Sequence, residues 1–269
     1  MTNHVVNPLF FIALLIASCT SNHPPTAMLP SPAQVTSASF PTQPVFIAQP
    51  TLAPTATFTP IPTATFTPMP TPTEAWIVQG PGDVTVPILL YHHVADSPIS
   101  NRYVISPQKF ETQMKILHDW GYTSITTTML IQAITEGAAL PPRPFLLTLD
   151  DGNLDNYTNA FPIAEKYGFH GVLYLVVNYI GSENYMNVEQ ILEMYHAGWE
   201  IGSHSLNHFD LAKVDAATAR NEIIGSRAAL EDMLGVPILT FAYPFGEYND
   251  TALEYVKAAG YQGAMGAKG

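Results

Sequence analysis

Residues 144–152 read Pro-Phe-Leu-Leu-Thr-Leu-Asp-Asp-Gly, an apolar run that ends on two adjacent carboxylates, Asp150 and Asp151. A short, continuous apolar run is typical of a strand that is buried on both faces, as in a parallel sheet covered by helices. Two carboxylates at the end of a buried strand cost free energy unless a partner neutralises them, and a divalent cation is one such partner. The plainer interpretation is a strand-to-helix turn in which one Asp caps the next helix.

Similar apolar runs recur along the second half of the chain and alternate with segments of helical periodicity. Strands are predicted at 87–91, 122–126, 144–149, 170–176, 199–203 and 237–242, and helices at 129–135, 156–167, 187–197, 216–234 and 249–259. A further helix opens at Ser106-Pro107, and its predicted apolar face holds Phe110, Met114, Ile116 and Leu117. This alternation predicts an α/β protein with a parallel sheet. The side chains that carry chemistry follow strand ends, where βα barrels build active sites.

Two histidines four positions apart, His204 and His208, follow the predicted strand at 199–203. Side chains at this spacing share one face of a helical turn and can reach a single ion. With one carboxylate of the Asp pair they supply three ligands and leave a position open for water, as catalytic zinc sites do. The other carboxylate is then free to act as a base on that water. The constellation predicts a metal-dependent hydrolase, whereas the pair taken alone fits two surface histidines.

Two loops complete the candidate site. Tyr91-His92-His93 closes the first strand, and because successive strand residues face opposite ways, at most one of the two histidines points into a pocket. Tyr243-Pro244-Phe245-Gly246 follows the last clear strand. This segment is either a tight turn and nothing more, or a turn that directs the Phe245 N–H at a developing oxyanion.

The Asp pair, the histidine pair and the loop that contains Pro244 resemble, in this order, the first three motifs of the polysaccharide deacetylases of the NodB-homology type, carbohydrate esterase family 4. The resemblance extends over the chain from Val86 onward. It implies an α/β fold, a distorted (β/α)7 barrel. It also implies a divalent metal, most often zinc, with cobalt or nickel as alternatives. The implied reaction removes N-acetyl groups from a polysaccharide that contains N-acetylglucosamine.

Matched position by position, the resemblance implies a role for each residue of the central site. Asp150 corresponds to the catalytic base, which activates a water molecule at the metal. Asp151, His204 and His208 correspond to the metal ligands. The expected site is therefore one carboxylate and two imidazoles around the ion, with the base one residue away from a ligand.

The resemblance also assigns the two loops. Tyr243 and Phe245 correspond to the oxyanion and substrate-binding segment, in which the Phe245 backbone N–H is the donor. The opening Tyr91-His92 resembles the branch that acts on poly-N-acetylglucosamine, in which the histidine lines the pocket. We therefore expect His92, rather than His93, to be a second catalytic residue.

The chain departs from the family pattern in two places. Ala242 stands where many members carry an arginine that pairs with the base, so that Asp150 requires another partner. The late motifs, which supply a further strand and usually a histidine acid, are not seen before the chain stops at Gly269. Because residues 261–265 read as the start of the last strand, we expect a barrel that lacks its C-terminal end. Either the sequence is a fragment, or another group protonates the leaving amine, and His92 is then the candidate general acid.

The N-terminal part predicts export and surface attachment. Residues 8–17 form an apolar run that is too short to span a bilayer and ends at Ile16-Ala17-Ser18-Cys19. This ending resembles a bacterial lipoprotein signal in which Cys19 is acylated, although residues 1–7 contain no Lys or Arg; the alternative is an ordinary secretory peptide. Residues 20–75, rich in Pro and Thr, predict a disordered, semi-rigid tether. We expect a signal peptide (1–19), this tether (20–75) and a catalytic domain (76–269), lipid-anchored at the outer face of the cell membrane.

The amino-acid composition limits the classes of molecule that we expect the protein to bind. The chain has 10 Lys and Arg against 22 Asp and Glu, a formal charge of -12, which argues against nucleic-acid binding. Its single cysteine excludes an intramolecular disulfide. The expected partner is a polysaccharide. Three other functions stay open: a catalytically weak, surface-anchored glycan-binding protein, an O-acetyl esterase of the xylan type, and a hydrolase of small amides or esters.

Overall fold

A computed structural model of the chain describes residues 81–97 and 101–267. The predicted signal peptide with Cys19, the tether and the first residues of the predicted catalytic domain lie outside these ranges. Among the described residues, no helix combines the length and apolarity that a membrane crossing requires.

One parallel sheet of seven strands forms the centre of the fold. The described residues form nine strands in all: β1 (Ile88–Tyr91), β2 (His93–Val94), β3 (Val104–Ile105), β4 (Thr123–Ile125), β5 (Pro144–Asp151), β6 (Val172–Leu175), β7 (Glu200–Ser203), β8 (Thr240–Ala242) and β9 (Gly263–Met265). The order along the large sheet is β1-β5-β6-β7-β8-β9, and β4 pairs with the first residues of β5. The short strands β2 and β3 pair with each other in a separate sheet.

Seven α-helices of the described chain connect these strands. They are α1 (Pro107–Asp119), α2 (Thr127–Glu136), α3 (Phe161–Lys166), α4 (Val188–His196), α5 (Ala216–Arg220), α6 (Ser226–Leu234) and α7 (Asp250–Ala258). A π-helical turn, Asn156–Ala160, precedes α3, and a second one, Asn221–Gly225, joins α5 to α6. Side-chain caps define several starts: Ser106 accepts from the Lys109 N–H, and Asn187 forms a reciprocal capping box with Gln190.

The predicted alternation of strands and helices is confirmed, with two local corrections. The strand predicted at 237–242 begins only at Thr240. Ile116 was expected on the apolar face of α1 but is 40% exposed, whereas Phe110 and Met114 are buried. Residue 116 lies about 200° around the helix from Met114, so it cannot share that face.

Both faces of β5 are covered, which explains its uninterrupted apolar sequence. Leu147 and Leu149 belong to the larger hydrophobic cluster, which also contains buried side chains of the helices. Leu146 belongs to a second cluster, together with residues of α2, β6 and β8. Because strand residues alternate, Thr148 and Asp150 share the inner side with Leu146. The carboxylate of Asp150 is thereby directed to the inside of the sheet.

Candidate metal centre

Asp151, His204 and His208 meet beyond the carboxyl ends of β5 and β7, as predicted from strand order. Their ligand atoms all lie within 4.8 Å of one another. Asp151 Oδ1 is 3.7 Å from His204 Nε2 and 3.4 Å from His208 Nε2. Ligands bound to one tetrahedral zinc ion at ordinary bond lengths are separated by about 3.3–3.5 Å. The grouping therefore has the donor types and the approximate spacing of a metal centre.

The left-handed backbone at the end of β5 gives Asp151 its orientation. Asp151 has a φ of 75° and Gly152 a φ of 83°, both in the left-handed region. This conformation suits glycine but costs a non-glycine residue about 1 kcal/mol or more, and such strain is concentrated at functional sites. The plainer interpretation, in which one of the Asp pair caps the next helix, is not what the structure shows, because that helical segment begins at Leu154 and the residue before it is Asn153.

His204 is held in the form that a metal requires. Its Nδ1 lies 2.8 Å from the carbonyl oxygen of Ala242, so Nδ1 carries the proton and Nε2 keeps a lone pair on the side of Asp151. Burial of the side chain lowers the pKa of His204 to about 4, although the charge of Asp151 opposes this shift. The imidazole is therefore neutral near neutral pH.

His208 reaches the site by a route that differs from the prediction. The two histidines were expected on one helical turn, but residues 204–208 form no helix. Ser205 has a φ of 72° and His208 a φ of 60°, which interrupt a right-handed helix. The His208 N–H donates to Ser205 Oγ at 2.9 Å, and this bond folds the segment back on itself. A folded loop, rather than a helix face, brings the second imidazole to Asp151.

Two buried carboxylate oxygens support a cation at this position. Asp150 is 5% exposed, and burial, followed by the charge of Asp151, raises its pKa well above the usual range. Among the described residues, neither Asp150 Oδ1 nor Asp151 Oδ1 has a hydrogen-bond partner. Ala242, at the position where the resemblance led us to look for an arginine, offers no charge here. Buried carboxylates without partners are costly, so the residues present fit a divalent metal.

The two histidines at the end of β1 have different surroundings. His93 Nδ1 lies 2.7 Å from Asp155 Oδ2, and this hydrogen bond raises the pKa of His93. The ring of His92 packs edge-on against Tyr103, with centroids 4.8 Å apart. Burial lowers the pKa of His92. The charge of Asp151 opposes this shift, whereas His93 and His208 add to it. The charge of Asp151 acts on both histidines, whereas His208 acts on His92 and not on His93, and His93 is the one that is bonded to Asp155.

Sequence reasoning missed the residues that hold the end of β1. Asn153 Nδ2 and Asn156 Nδ2 both donate to the carbonyl oxygen of His92, at 3.1 and 2.8 Å. Asp155 Oδ1 accepts from the Val94 N–H at 2.9 Å. The polar residues directly after the Asp pair were the available signal, but their spacing does not specify a partner far away in sequence.

The loop after β8 separates its two predicted site residues. Tyr243 is buried in the larger hydrophobic cluster, and its ring stacks on Tyr248 with centroids 4.7 Å apart. Phe245 is 62% exposed, has a φ of 60°, and its ring lies 4.7 Å from the ring of His208. Phe245 therefore presents a surface beside the candidate metal centre, whereas the Tyr243 ring packs beneath the loop.

Comparison with known proteins identifies the class. The family model described as polysaccharide deacetylase matches residues 137–264. YxkH of Bacillus subtilis, whose name classes it with the polysaccharide deacetylases, is 30% identical over 190 residues, which cover 71% of this chain and 67% of that protein. The chain belongs to the polysaccharide deacetylase family. It is also similar to a poly-β-1,6-N-acetyl-D-glucosamine N-deacetylase of Staphylococcus aureus, at 29% identity over 64% of this chain and 63% of the relative.

Solved structures confirm the predicted NodB-type fold. The deacetylase PplD of Streptococcus pyogenes, in complex with acetate, matches with a TM-score of 0.63 and 28% identity, over 66% of this chain and 82% of that one. The polysaccharide deacetylase BC0361 of Bacillus cereus matches with a TM-score of 0.58 and 32% identity, over 66% of this chain and 56% of that one. The parallel sheet described above therefore belongs to this distorted barrel class.

Asp155→Asn tests the hydrogen bond between His93 and Asp155, which distinguishes His93 from His92. The variant replaces the charged hydrogen-bond acceptor that raises the pKa of His93 with a neutral amide, but keeps an oxygen for the Val94 N–H. A histidine with a raised folded pKa stabilises below its unfolded pKa, and this contribution is lost as pH rises through the folded pKa. We expect a free energy of unfolding about 0.5–1 kcal/mol lower than wild type near pH 5.5, for a partly exposed pair. Urea denaturation at about pH 5.5 and pH 9 measures it. A difference equal at both pH values would contradict this assignment.

Proposed function

We propose that this protein is a metal-dependent hydrolase that removes N-acetyl groups from a cell-surface or extracellular polysaccharide containing N-acetylglucosamine. The observation that carries the proposal is the meeting of Asp151, His204 and His208 next to the buried carboxylate of Asp150. Membership of the polysaccharide deacetylase family supports the polysaccharide substrate. Similarity to the staphylococcal N-deacetylase supports an acetamide, rather than an ester, as the bond that is hydrolysed.

The central residues divide the work between binding and proton transfer. Asp151, His204 and His208 would hold a divalent cation, and zinc suits this set of two nitrogen ligands and one oxygen ligand. When bound, the cation supplies Lewis acidity to the acetamide carbonyl and lowers the pKa of water. Asp150, one residue from a ligand, would receive the proton of the water that attacks the carbonyl carbon, since a cation held by the neighbouring ligands favours its ionised form against the effect of burial.

The loops complete the reaction. The backbone N–H of Phe245 donates to the oxygen that becomes negative when water adds to the carbonyl. The carbon–nitrogen bond then breaks, acetate leaves, and the amine nitrogen requires a proton. In our proposal His92 passes to the amine the proton that Asp150 took from the water, while His93 is held by Asp155.

The exposed ring of Phe245 provides a stacking surface for the glycan. It lies directly beside His208, and aromatic rings stack on the apolar faces of sugars. The backbone N–H of this residue remains when the side chain is shortened, so binding and chemistry can be tested separately.

Asp150→Asn and Asp151→Asn, the same change at neighbouring positions, distinguish the base from the ligand. In the full chain, metal-dependent acetate release from N-acetylglucosamine oligomers is expected for wild type. Asp150→Asn should bind the metal as wild type does but lower turnover at least about 100-fold. Asp151→Asn should lose the metal itself, measured by metal content after dialysis. Full activity of Asp150→Asn would contradict the assigned base.

The same assay on wild type distinguishes the other functions. A folded, metal-loaded wild type that binds oligomers without releasing acetate would favour a glycan-binding function. Preferential release of acetate from acetylated xylan would favour the esterase.

Phe245→Ala is expected to weaken substrate binding more than chemistry. We expect KM for an N-acetylglucosamine oligomer to rise about ten-fold, equivalent to about 1.4 kcal/mol, from the loss of stacking. The turnover number should stay within about three-fold of wild type because the oxyanion donor is backbone. Trp120→Ala is the matched control, since Trp120 is equally exposed (61%) but lies just before β4, at the amino end of the sheet. An unchanged KM in Phe245→Ala would remove this residue from the substrate site.

Cys19 would place the catalytic domain at its substrate. In our proposal it carries the lipid anchor, and residues 20–75 separate residues 76–269 from the membrane. Cys19→Ser in a bacterium that processes lipoproteins should move the protein from the detergent-extracted membrane fraction to the soluble fraction, with loss of the acyl mass. Ser18→Ala, which keeps a small residue at the cleavage site and the thiol, should behave as wild type. Equal membrane retention of both variants would contradict the lipid anchor.

A further inference from the structure

The loop that delivers His208 is attached to a buried carboxylate outside the metal centre. Asn207, the residue before His208, donates its backbone N–H to Glu222 Oε2 at 2.8 Å and its side-chain Nδ2 to Glu222 Oε1 at 2.6 Å. Both oxygens of Glu222 are thus used by a single residue. Glu222 is 1% exposed and lies on the π-helical turn Asn221–Gly225.

This carboxylate does not form an ion pair within the part of the chain that the structure describes. A buried carboxylate is unfavourable unless hydrogen bonds replace its hydration, and bonds to a charged acceptor are shorter and stronger than neutral ones. The two bonds from Asn207 supply this compensation. Displacement of Asn207 would leave the carboxylate buried without these partners, so the contact resists movement of the loop.

The opposite side of the loop is held by the turn that follows β6. The Val177 N–H donates to the carbonyl oxygen of Ser205 at 3.2 Å, and the Asn178 N–H donates to that of Leu206 at 3.1 Å. Asn178 Nδ2 also donates to Asn207 Oδ1 at 2.6 Å. The segment between the two histidines is therefore fixed from both sides, in a conformation that includes two residues of positive φ. Such a conformation persists only where surrounding contacts determine it.

The helix that carries Glu222 also contacts the strand that delivers His204. Ser226 Oγ, four residues after Glu222, lies 2.8 Å from Ser203 Oγ at the end of β7. Residues of one continuous helical segment thus hold the positions that precede each of the two imidazoles.

We infer that Glu222 is a positioning residue of the metal centre: its carboxylate fixes Asn207 and thereby sets His208 Nε2 beside Asp151 before a metal binds. This inference rests on the proposed function, since it requires that His208 is a ligand. Glu222 touches neither the ion nor the substrate. Its contribution is to keep the three ligand atoms close together in the metal-free protein.

The test exchanges donor and acceptor between the two side chains. Glu222→Gln sets an amide N–H against Asn207 Nδ2, and Asn207→Asp sets a second carboxylate against Glu222. The double variant Glu222→Gln/Asn207→Asp pairs an amide donor with a carboxylate again, while the introduced amide oxygen at position 222 can still accept the backbone N–H of residue 207. We expect each single change to weaken zinc affinity of the full chain about 10–100-fold, the usual range for residues that orient metal ligands. The double variant should recover most of this loss.

Two measurements separate positioning from general stability. Zinc affinity is measured by chelator competition on samples that thermal unfolding shows to be folded, and hydrogen exchange of the residue 207 amide is followed in the metal-free protein. Glu231→Gln is the matched control, because Glu231 lies on the same helical segment and also accepts a backbone N–H, from Ile238, away from the histidine loop. It should bind zinc as wild type does. Asn207 is half-buried, so Asn207→Asp provides the test if Glu222→Gln does not fold.

The outcomes are distinct. Faster exchange at residue 207 together with weaker zinc binding in the single variants, and recovery of both in the double variant, would support the role of Glu222. Wild-type zinc affinity in folded Glu222→Gln or Asn207→Asp would overturn it and leave the metal centre intact. Absence of zinc binding in wild type would instead overturn the proposed metal centre, and with it the inference.

Discussion

Two carboxylates at the end of a buried strand are the constraint on which the site depends. The apolar sequence of β5 places Asp150 inside the sheet and brings Asp151 to its edge, each with an oxygen that lacks a hydrogen-bond partner among the described residues. Burial disfavours such groups, so a cation and the imidazoles that share it with Asp151 stabilise an arrangement that is otherwise unfavourable. The imidazole of His204 is neutral because it is buried, and the Ala242 carbonyl fixes its orientation. It offers one such ligand from the end of β7.

Strained backbone conformations are concentrated at the same site. Of the six non-glycine residues with positive φ that the described chain contains, four are Asp151, Ser205, His208 and Phe245. Two of these are proposed ligands, one orients the loop between the histidines, and one is the proposed oxyanion donor. Strained conformations persist where surrounding contacts over-determine them. The contacts around Glu222 are an instance of this, because they hold the histidine loop without taking part in the chemistry.

The sequence predicted what depends on strand order and missed what depends on loop conformation. Parallel strands bring their carboxyl ends to one edge, so Asp151 and His204 could be grouped from the positions of buried runs alone. The spacing of His204 and His208 predicted a helical turn, but the structure has a folded loop, because the positive φ of Ser205 is decided by contacts with distant segments. Glu222 was not predicted for the same reason, since its partner is specified only by tertiary packing. The family resemblance assigned the roles of individual carboxylates, which spacing alone left open.

Anomalous diffraction at the zinc edge, from crystals of the full chain grown with zinc, tests the central claim most directly. The account predicts a peak bonded to Asp151 Oδ1, His204 Nε2 and His208 Nε2 at about 2.0–2.2 Å, with Asp150 outside the ligand set. Zinc held by other residues, or bound through Asp150 instead of Asp151, would contradict the account. So would a zinc-saturated crystal with no peak between these three side chains.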